Sequence, residues 1–301
     1  MKITVFTPTY NRAYILNNLY QSLRRQTFRD FEWLIVDDGS VDDTEALVCN
    51  WMAEGNLFTI RYHKQENGGK CRAINKGLEL AAGELFFTVD SDDYLTDDAL
   101  EKVLRWETEL PKNQKYCGFA GNLGTAPGET PNKIFESEYF DGTALDRYGI
   151  VDGERAIVFY TDIHRMYPYP VFDGEKFMTE AVVYNRMASD GFKMRFYNDI
   201  IWIYEYLTDG LTKAGSSIFL NNPQGHGLWL REKSEFLGES LSKKMMMWYS
   251  FYCDHAHHLT AKQCAEYIGA PLSFIWLSAV IHSVSKSLKS VRNIFKKSNN
   301  L

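Results

Sequence analysis

The sequence predicts an α/β fold, a doubly wound, mostly parallel sheet followed by a C-terminal helical extension. Three observations carry this. Short β-branched and aromatic runs alternate with amphipathic segments over roughly the first hundred residues, the pattern of strand-helix-strand units. Each run empties into a polar cluster, as strand ends do where open α/β sheets bind ligands. Beyond Asn221 the spacing turns helical.

Ile3 to Thr7 is an apolar run ended by Thr-Pro-Thr, which suits a buried strand opening into a loop. Tyr14 to Arg25 sets Ile15, Leu16, Leu19 and Leu23 at helical spacing, as a crossover helix packed on a sheet requires. Phe31 to Val36 reads as the next strand, closed by Asp37-Asp38-Gly39-Ser40; Val41 to Met52 reads as a helix and Phe58 to His63 as a third strand. Asn67-Gly68-Gly69-Lys70 opens a helix over Cys71 to Ala81, and Glu84 to Val89 is a fourth strand. From Pro111 to Asp173 the pattern weakens and elements can be placed only loosely. A helix is predicted over Lys176 to Asp190 and a strand over Phe192 to Tyr206. Ile268 to Val284 is apolar but interrupted by Pro271 and serines, and falls short of the roughly 20 residues that cross a bilayer. It is expected to be packed or peripheral.

Composition bounds the class. At 301 residues, 45% hydrophobic and 24% charged, the chain has material for one large globular unit and an appendage. A net charge of −6 argues against nucleic acid as a partner. No Asp or Glu follows Glu266, while Lys286, Lys289, Arg292, Lys296 and Lys297 crowd the end, which points to an anionic contact for the tail alone. Five scattered cysteines suit a reducing compartment, and the amino terminus lacks the apolar run and cleavage site of a signal peptide. The expected location is cytoplasmic, with a peripheral place on the inner face of the plasma membrane open to the tail.

Three clusters could carry chemistry. Asp90-Ser91-Asp92-Asp93, at a strand end, offers closely spaced carboxylates to a hard divalent cation; the same residues serve as an acidic turn or N-cap leading into a helix over Tyr94 to Trp106. Asp37 to Ser40 is either a tight turn or a carboxylate aimed at a nucleobase edge, with Tyr10 placed to stack on the base. Asn67 to Lys70, with Arg72, brings backbone N–H groups and cations to a helix start, favourable to phosphate; a plain glycine turn is the alternative.

Taken together, Thr7-Pro8-Thr9-Tyr10-Asn11-Arg12, Val36-Asp37-Asp38-Gly39-Ser40, Gly68-Gly69-Lys70 with Arg72 and Asn75-Lys76-Gly77, and Asp90-Ser91-Asp92-Asp93 resemble, in order and spacing, the family-2 glycosyltransferases with the GT-A fold. The resemblance covers residues 1–110 strongly and 170–215 fairly, and stops before the C-terminal helices. It implies an inverting transferase that moves a sugar from a nucleotide-sugar, such as a UDP-sugar, to a glycan or lipid-linked acceptor in surface polysaccharide or glycoconjugate synthesis. Pro8 and Tyr10 would line the uracil pocket beside Arg12, and Asp38 would bond the base. Asp90, with Ser91, would contact ribose or sugar phosphate, and Asp92 would hold Mn²⁺ or Mg²⁺. Lys70 and Arg72 match donor-loop residues. Glu180 matches the acidic base at a helix start, with Ala181 departing from the usual Glu-Asp pair and Asp173 and Glu175 nearby as competitors. Tyr204 to Thr212 resembles the loop that closes over the donor.

The implied division is a GT-A domain over 1–215, with a donor half at 1–110 and an acceptor half at 111–215, and a helical extension with a basic tail over 216–301. A sugar nucleotidyltransferase and a nucleotide-sugar-binding protein without turnover are the alternatives. The extension holds Cys253, Asp254, His255, His257, His258 and Cys264, which lack paired zinc-ligand spacing. Its aromatics, Trp229, Phe236, Trp248, Tyr249, Phe251, Tyr252 and Trp276, suit helical core or a lid. The apolar segment and basic tail could lie on an anionic membrane, pack on the catalytic domain or form a homodimer contact.

Overall fold

A computed structural model describes residues 1–151, 153–204, 215 and 217–284. The basic tail and the predicted closing loop beyond Tyr204 lie outside the described residues. The chain divides into two compact units, Met1–Ala214 and Gly215–Leu301.

In the first unit, β1 (Ile3–Thr9) and β2 (Phe31–Asp37) are buried along their whole lengths, as strands covered by helices on both faces must be. With β3 (Thr59–Lys64) and β4 (Leu85–Thr88) they form the parallel run β3-β2-β1-β4, in which Thr9 pairs with Asp37. That register brings the loops after β1 and β2 side by side. The crossover helices α1 (Asn17–Arg25), α2 (Thr44–Ala53) and α3 (Lys70–Leu80) turn apolar faces to the sheet. Tyr20, Trp33 and Trp51 stack in the core between them. Gly77 of α3 has no side chain because a Cβ there would meet the Phe6 ring, so the helix lies close on β1.

The sheet continues through β8 (Arg155–Tyr160), antiparallel to β4, then β6 (Tyr116–Gly124) and β9 (Lys193–Ile203). β5 (Tyr94–Leu95) and β7 (Tyr139–Gly142) both pair antiparallel with β9. Among the described residues the sheet thus has nine strands, β1 to β4, β6 and β9 running one way and β5, β7 and β8 the other. β6, β7 and β8 lie in the stretch where the sequence pattern is weakest.

The helices expected from Tyr14 and Val41 begin at Asn17 and Thr44, and two others begin later still, each for an identifiable reason. The helix expected from Tyr94 is α4 (Ala99–Glu109), because Tyr94 and Leu95 are captured by Ile203 and Trp202 of β9. The helix expected from Lys176 is α6 (Ala181–Ser189). Arg72 draws the carbonyls of Phe172 and Glu175, and Cys71 Sγ donates to that of Met178, which holds 172–178 against α3. Between β8 and α6 lies the short α5 (Thr161–Arg165).

The second unit is helical: α7 (Ser217–Leu220), α8 (Pro223–Phe236), α9 (Leu241–His255), α10 (Ala261–Ile268) and a helical stretch at 272–284. Phe251, Cys264, Ile268 and Ile275 form its core. His226, His255, His258 and His257 bond one another in series through their ring nitrogens at 3.0, 3.2 and 3.0 Å. Trp276, Leu277, Val280, Ile281 and Val284 are exposed along one face of the last stretch. Among the described residues no helix is long and apolar enough to cross a membrane.

Candidate active site

The site is assembled at the carboxyl ends of β1, β2 and β4. Asn11, just past β1, takes a left-handed backbone (φ 52°), which turns the chain so that its N–H meets Ser40 Oγ at 2.8 Å and its Oδ1 receives Val41 N–H at 2.9 Å. The loops after β1 and β2 are thereby tied together. Pro8 is buried in β1, and Tyr10 stands half exposed at its end. Arg12 reaches across to Asp92, with 3.7 Å between Nη2 and Oδ2.

Asp38 is buried, and its carboxylate collects four donors from the loop leading into α3. Gln65 Nε2 and Gly68 N–H meet Oδ1 at 2.8 and 3.0 Å, while Asn67 Nδ2 and Gly69 N–H meet Oδ2 at 3.1 and 2.7 Å. Its neighbour Asp37 accepts from Ser40 N–H and Tyr62 Oη. Asp38 therefore shapes the glycine loop in this structure, a task its sequence motif does not disclose. Gly69 has φ 93°, and a Cβ there would collide with the backbone of Lys176, so the loop and the 172–178 segment pack closely. Arg72 serves the same junction, donating to the carbonyls of Gly68, Glu175 and Phe172 at 2.7 Å each.

Lys70 carries the arrangement. Its ammonium lies 2.7 Å from Asp90 Oδ1 and 2.8 Å from Glu180 Oε1, bringing together a strand-end carboxylate and the N-cap of α6. Burial opposes the charge on Lys70, but the two carboxylates outweigh it and hold its pKa well above the usual lysine range. For Glu180, burial works upward and the Lys70 ammonium prevails, so its carboxyl titrates below the ordinary range and stays ionised at neutral pH. Tyr184 Oη also donates to Glu180 Oε2 at 2.6 Å. Asp93 turns inward to the indole N–H of Trp202 at 2.8 Å, and burial, then the charges of Asp90 and Asp92, push its pKa up to about 8. Ser91 is buried between them.

Asp90, Asp92 and Asp93 set three carboxylates within four residues, where burial and then mutual repulsion raise the pKa of Asp93, and such clustered oxygens suit a hard divalent cation. Among the described residues no three His, Cys, Asp or Glu side chains converge on one point. A cation held by one or two carboxylates and completed by phosphate and water needs no such group. A cavity of about 1120 Å³ opens elsewhere, lined by Thr96, Lys102, Pro127, Ile134 and Ile200, and none of the charged cluster borders it.

The structure thus brings Asp90, Lys70 and Glu180 into one chain of contacts, pairs Arg12 with Asp92 beside it, and sets Asp38 and Arg72 to supporting the loop. Tyr169, Tyr184 and His164, behind Glu180, were not found by sequence reasoning. Tyr184 was within reach of it, since residues i and i+4 meet on a helix face; the other two lie in the stretch with little pattern.

The profile of Glycosyl transferase family 2 matches residues 4–167, more than half the chain. The chain belongs to this family. Within it, the chain is 30% identical over 150 residues to the GalNAc(5)-diNAcBac-PP-undecaprenol beta-1,3-glucosyltransferase of Campylobacter jejuni. That alignment covers 48% of this chain and 44% of the relative, so the chain spans less than half of that relative's length. TarS of S. aureus (residues 1–349, in complex with UDP-GlcNAc) superposes with a TM-score of 0.62 at 17% identity, covering 96% of this chain and 92% of that one. A mannosyltransferase from Pyrobaculum calidifontis, in complex with GDP-Man and Mn²⁺, gives 0.53 at 16% identity, covering 95% and 88%. At these identities the likeness shows the fold, which is the GT-A α/β fold followed by helices.

Proposed function

We propose that this family-2 chain is an inverting glycosyltransferase that moves a sugar from a nucleotide-sugar, a UDP-sugar by preference, to a glycan or lipid-linked acceptor in surface glycoconjugate synthesis. The observation that carries this is the Asp90–Lys70–Glu180 bridge, which sets a candidate base within one side chain of the donor carboxylates. Donor and acceptor chemistry are supported by the UDP-GlcNAc bound to TarS and the undecaprenol-linked acceptor named for the Campylobacter relative.

In this reading residues 1–110 bind the donor, 111–215 receive the acceptor, and 216–301 form an extension. Tyr10 and Pro8 flank the base, Asp38 holds the glycine loop by accepting its Gly68 and Gly69 N–H groups, and Lys70 meets the diphosphate. Glu180 takes the proton of the acceptor hydroxyl. The oxygen so freed attacks the anomeric carbon from the face opposite the nucleotide, the bond to diphosphate oxygen breaks, and the configuration inverts. Asp92, beside Asp90, would hold Mn²⁺ or Mg²⁺, which supplies positive charge against the departing diphosphate. The exposed apolar face at 276–284 and the basic sequence after it fit a peripheral contact with anionic lipid, on the cytoplasmic side, where a lipid-linked acceptor is met.

The test is transfer from UDP-sugars with and without chelator, in the parent chain, Asp92→Ala and Glu180→Gln. Expected are loss of turnover in Glu180→Gln with donor binding kept, and loss of the Mn²⁺ response in Asp92→Ala. Full transfer by both variants sinks the mechanism, and pyrophosphate release from a nucleoside triphosphate would favour the nucleotidyltransferase reading.

A further inference from the structure

Behind Glu180 runs a buried file of polar groups that the reaction above does not use. Tyr184, one turn along α6, donates to Glu180 Oε2 at 2.6 Å. Tyr184 and Tyr169 share a hydrogen bond, and Tyr169 Oη lies 3.1 Å from His164 Nε2 on α5. All three side chains are buried, His164 and Tyr169 almost completely, and His164 Nδ1 has no hydrogen-bond partner.

Counting protons gives this file a direction. Glu180 is ionised and can only accept, so the single hydroxyl proton of Tyr184 is committed to it. The bond between the two phenols must then use the proton of Tyr169. Tyr169 has none left for the imidazole, so His164 must donate from Nε2. Burial pushes the pKa of His164 down to about 3, so its ring is neutral and Nδ1 carries the lone pair. The unpartnered Nδ1 agrees with that tautomer, in which no buried N–H is left without an acceptor.

We propose that His164, Tyr169 and Tyr184 are positioning residues, a one-way hydrogen-bond file that aims and holds the Glu180 carboxylate from behind. The inference rests on Glu180 being the base. Glu180 is held on its two oxygens by different means, Lys70 on Oε1 and the phenol file on Oε2. When an incoming diphosphate draws the Lys70 ammonium forward, Oε1 is released toward the acceptor while Oε2 stays fixed. The other ionisable groups around Glu180 are Asp90, reached through Lys70, and the thiol of Cys71, and neither bonds Oε2.

The experiment pairs kinetics with a tautomer measurement on the full chain. Tyr184→Phe is expected to lower kcat about tenfold with donor KM held within about twofold, because it removes a charge-assisted bond that orients the base without touching the donor. Tyr169→Phe should lose less, about threefold, the effect weakening with distance. His164→Gln keeps an N–H near the Nε2 position and should retain most of the turnover, whereas His164→Leu should match Tyr169→Phe. Nitrogen-15 NMR of the His164 ring, assigned by its disappearance in His164→Gln, should show Nε2 protonated and Nδ1 bare at neutral pH. Wild-type kcat in Tyr184→Phe beside an inactive Glu180→Gln overturns the file alone, as does an Nδ1–H tautomer. Full transfer by Glu180→Gln overturns instead the base assignment on which the file's purpose depends. A matched thermal midpoint in each variant separates these outcomes from misfolding.

Discussion

The ammonium of Lys70, in the first turn of α3, lies 2.8 Å from Glu180 Oε1 at the N-cap of α6. One ion pair therefore joins the start of α3 to the start of α6, more than a hundred residues later in the chain. Because the ammonium also meets Asp90, neither carboxylate is left without a counter-charge.

Lys70→Met should leave two carboxylates facing one another. The expected cost is about 1–3 kcal/mol of stability, below that of breaking a fully buried pair because about a quarter of the lysine side chain, 24%, is exposed. Transfer should fall at the same time by roughly a hundredfold, as the base loses its ionised, oriented state. In a double-mutant cycle with Glu180→Gln the two losses should not add. Strict additivity would mean that the pair is incidental.

Arg72 separates a phosphate ligand from a clamp. Its three bonds all go to backbone carbonyls, of Gly68, Phe172 and Glu175. Arg72→Lys keeps the charge but cannot reproduce the fork, so chemical denaturation should show a loss of about 1–3 kcal/mol even without ligand. Unchanged stability with only a raised donor KM would instead place the guanidinium on the diphosphate.

Gly69→Ala combines an unfavourable φ with a collision against the Lys176 backbone, and should cost about 2–4 kcal/mol. Gly174→Ala is the internal control. Its φ is 79°, with open space around the added methyl, so only the conformational part, about 1 kcal/mol, should be lost. Equal urea midpoints for the two variants would contradict the close approach.

The pH dependence of folding should carry the signature of His164. Its pKa is pushed down from 6.5 to about 3 by burial, so the folded chain keeps it neutral where the unfolded chain takes up a proton. Above about pH 6.5 it contributes nothing; as pH falls from there toward 3, the unfolded state binds the extra proton and stability declines by up to about 1.4 kcal/mol per unit. His164→Gln removes that term, so its urea midpoint should fall less steeply than the parent's between about pH 6.5 and about pH 5. Parallel slopes would show that the ring is protonated in the native state.

Much of the α/β half was legible because its signals are local. Ile3 to Thr7 and Phe31 to Val36 are runs whose residue types and bounding loops suffice to mark buried strands, and both are strands here. Element ends were less legible. The helix starts at Ala99 and Ala181 were set by β9 capturing Tyr94 and by Arg72 engaging carbonyls, contacts between residues far apart in the chain. The stretch 111–173 escaped because its strands pair with distant partners, β6 with β9 and β8 with β4, and bulges break the alternation that a reader would seek.

For the site, the sequence alone determined which chemical groups stand at the strand ends, since motif spacing and strand termini are properties of neighbours in the chain. It named Asp38, Asp90 and Asp92 there and Lys70 and Arg72 at a helix start, and the family resemblance added Glu180. Only the tertiary structure decided what those groups hold. It turned Asp38 and Arg72 to the support of a loop, drew Lys70 between Asp90 and Glu180, and lined up Tyr184, Tyr169 and His164 behind the carboxylate. The reason is one of range. A hydrogen bond or ion pair is settled within about 3 Å, and which side chains come that close depends on how the helices pack across the sheet.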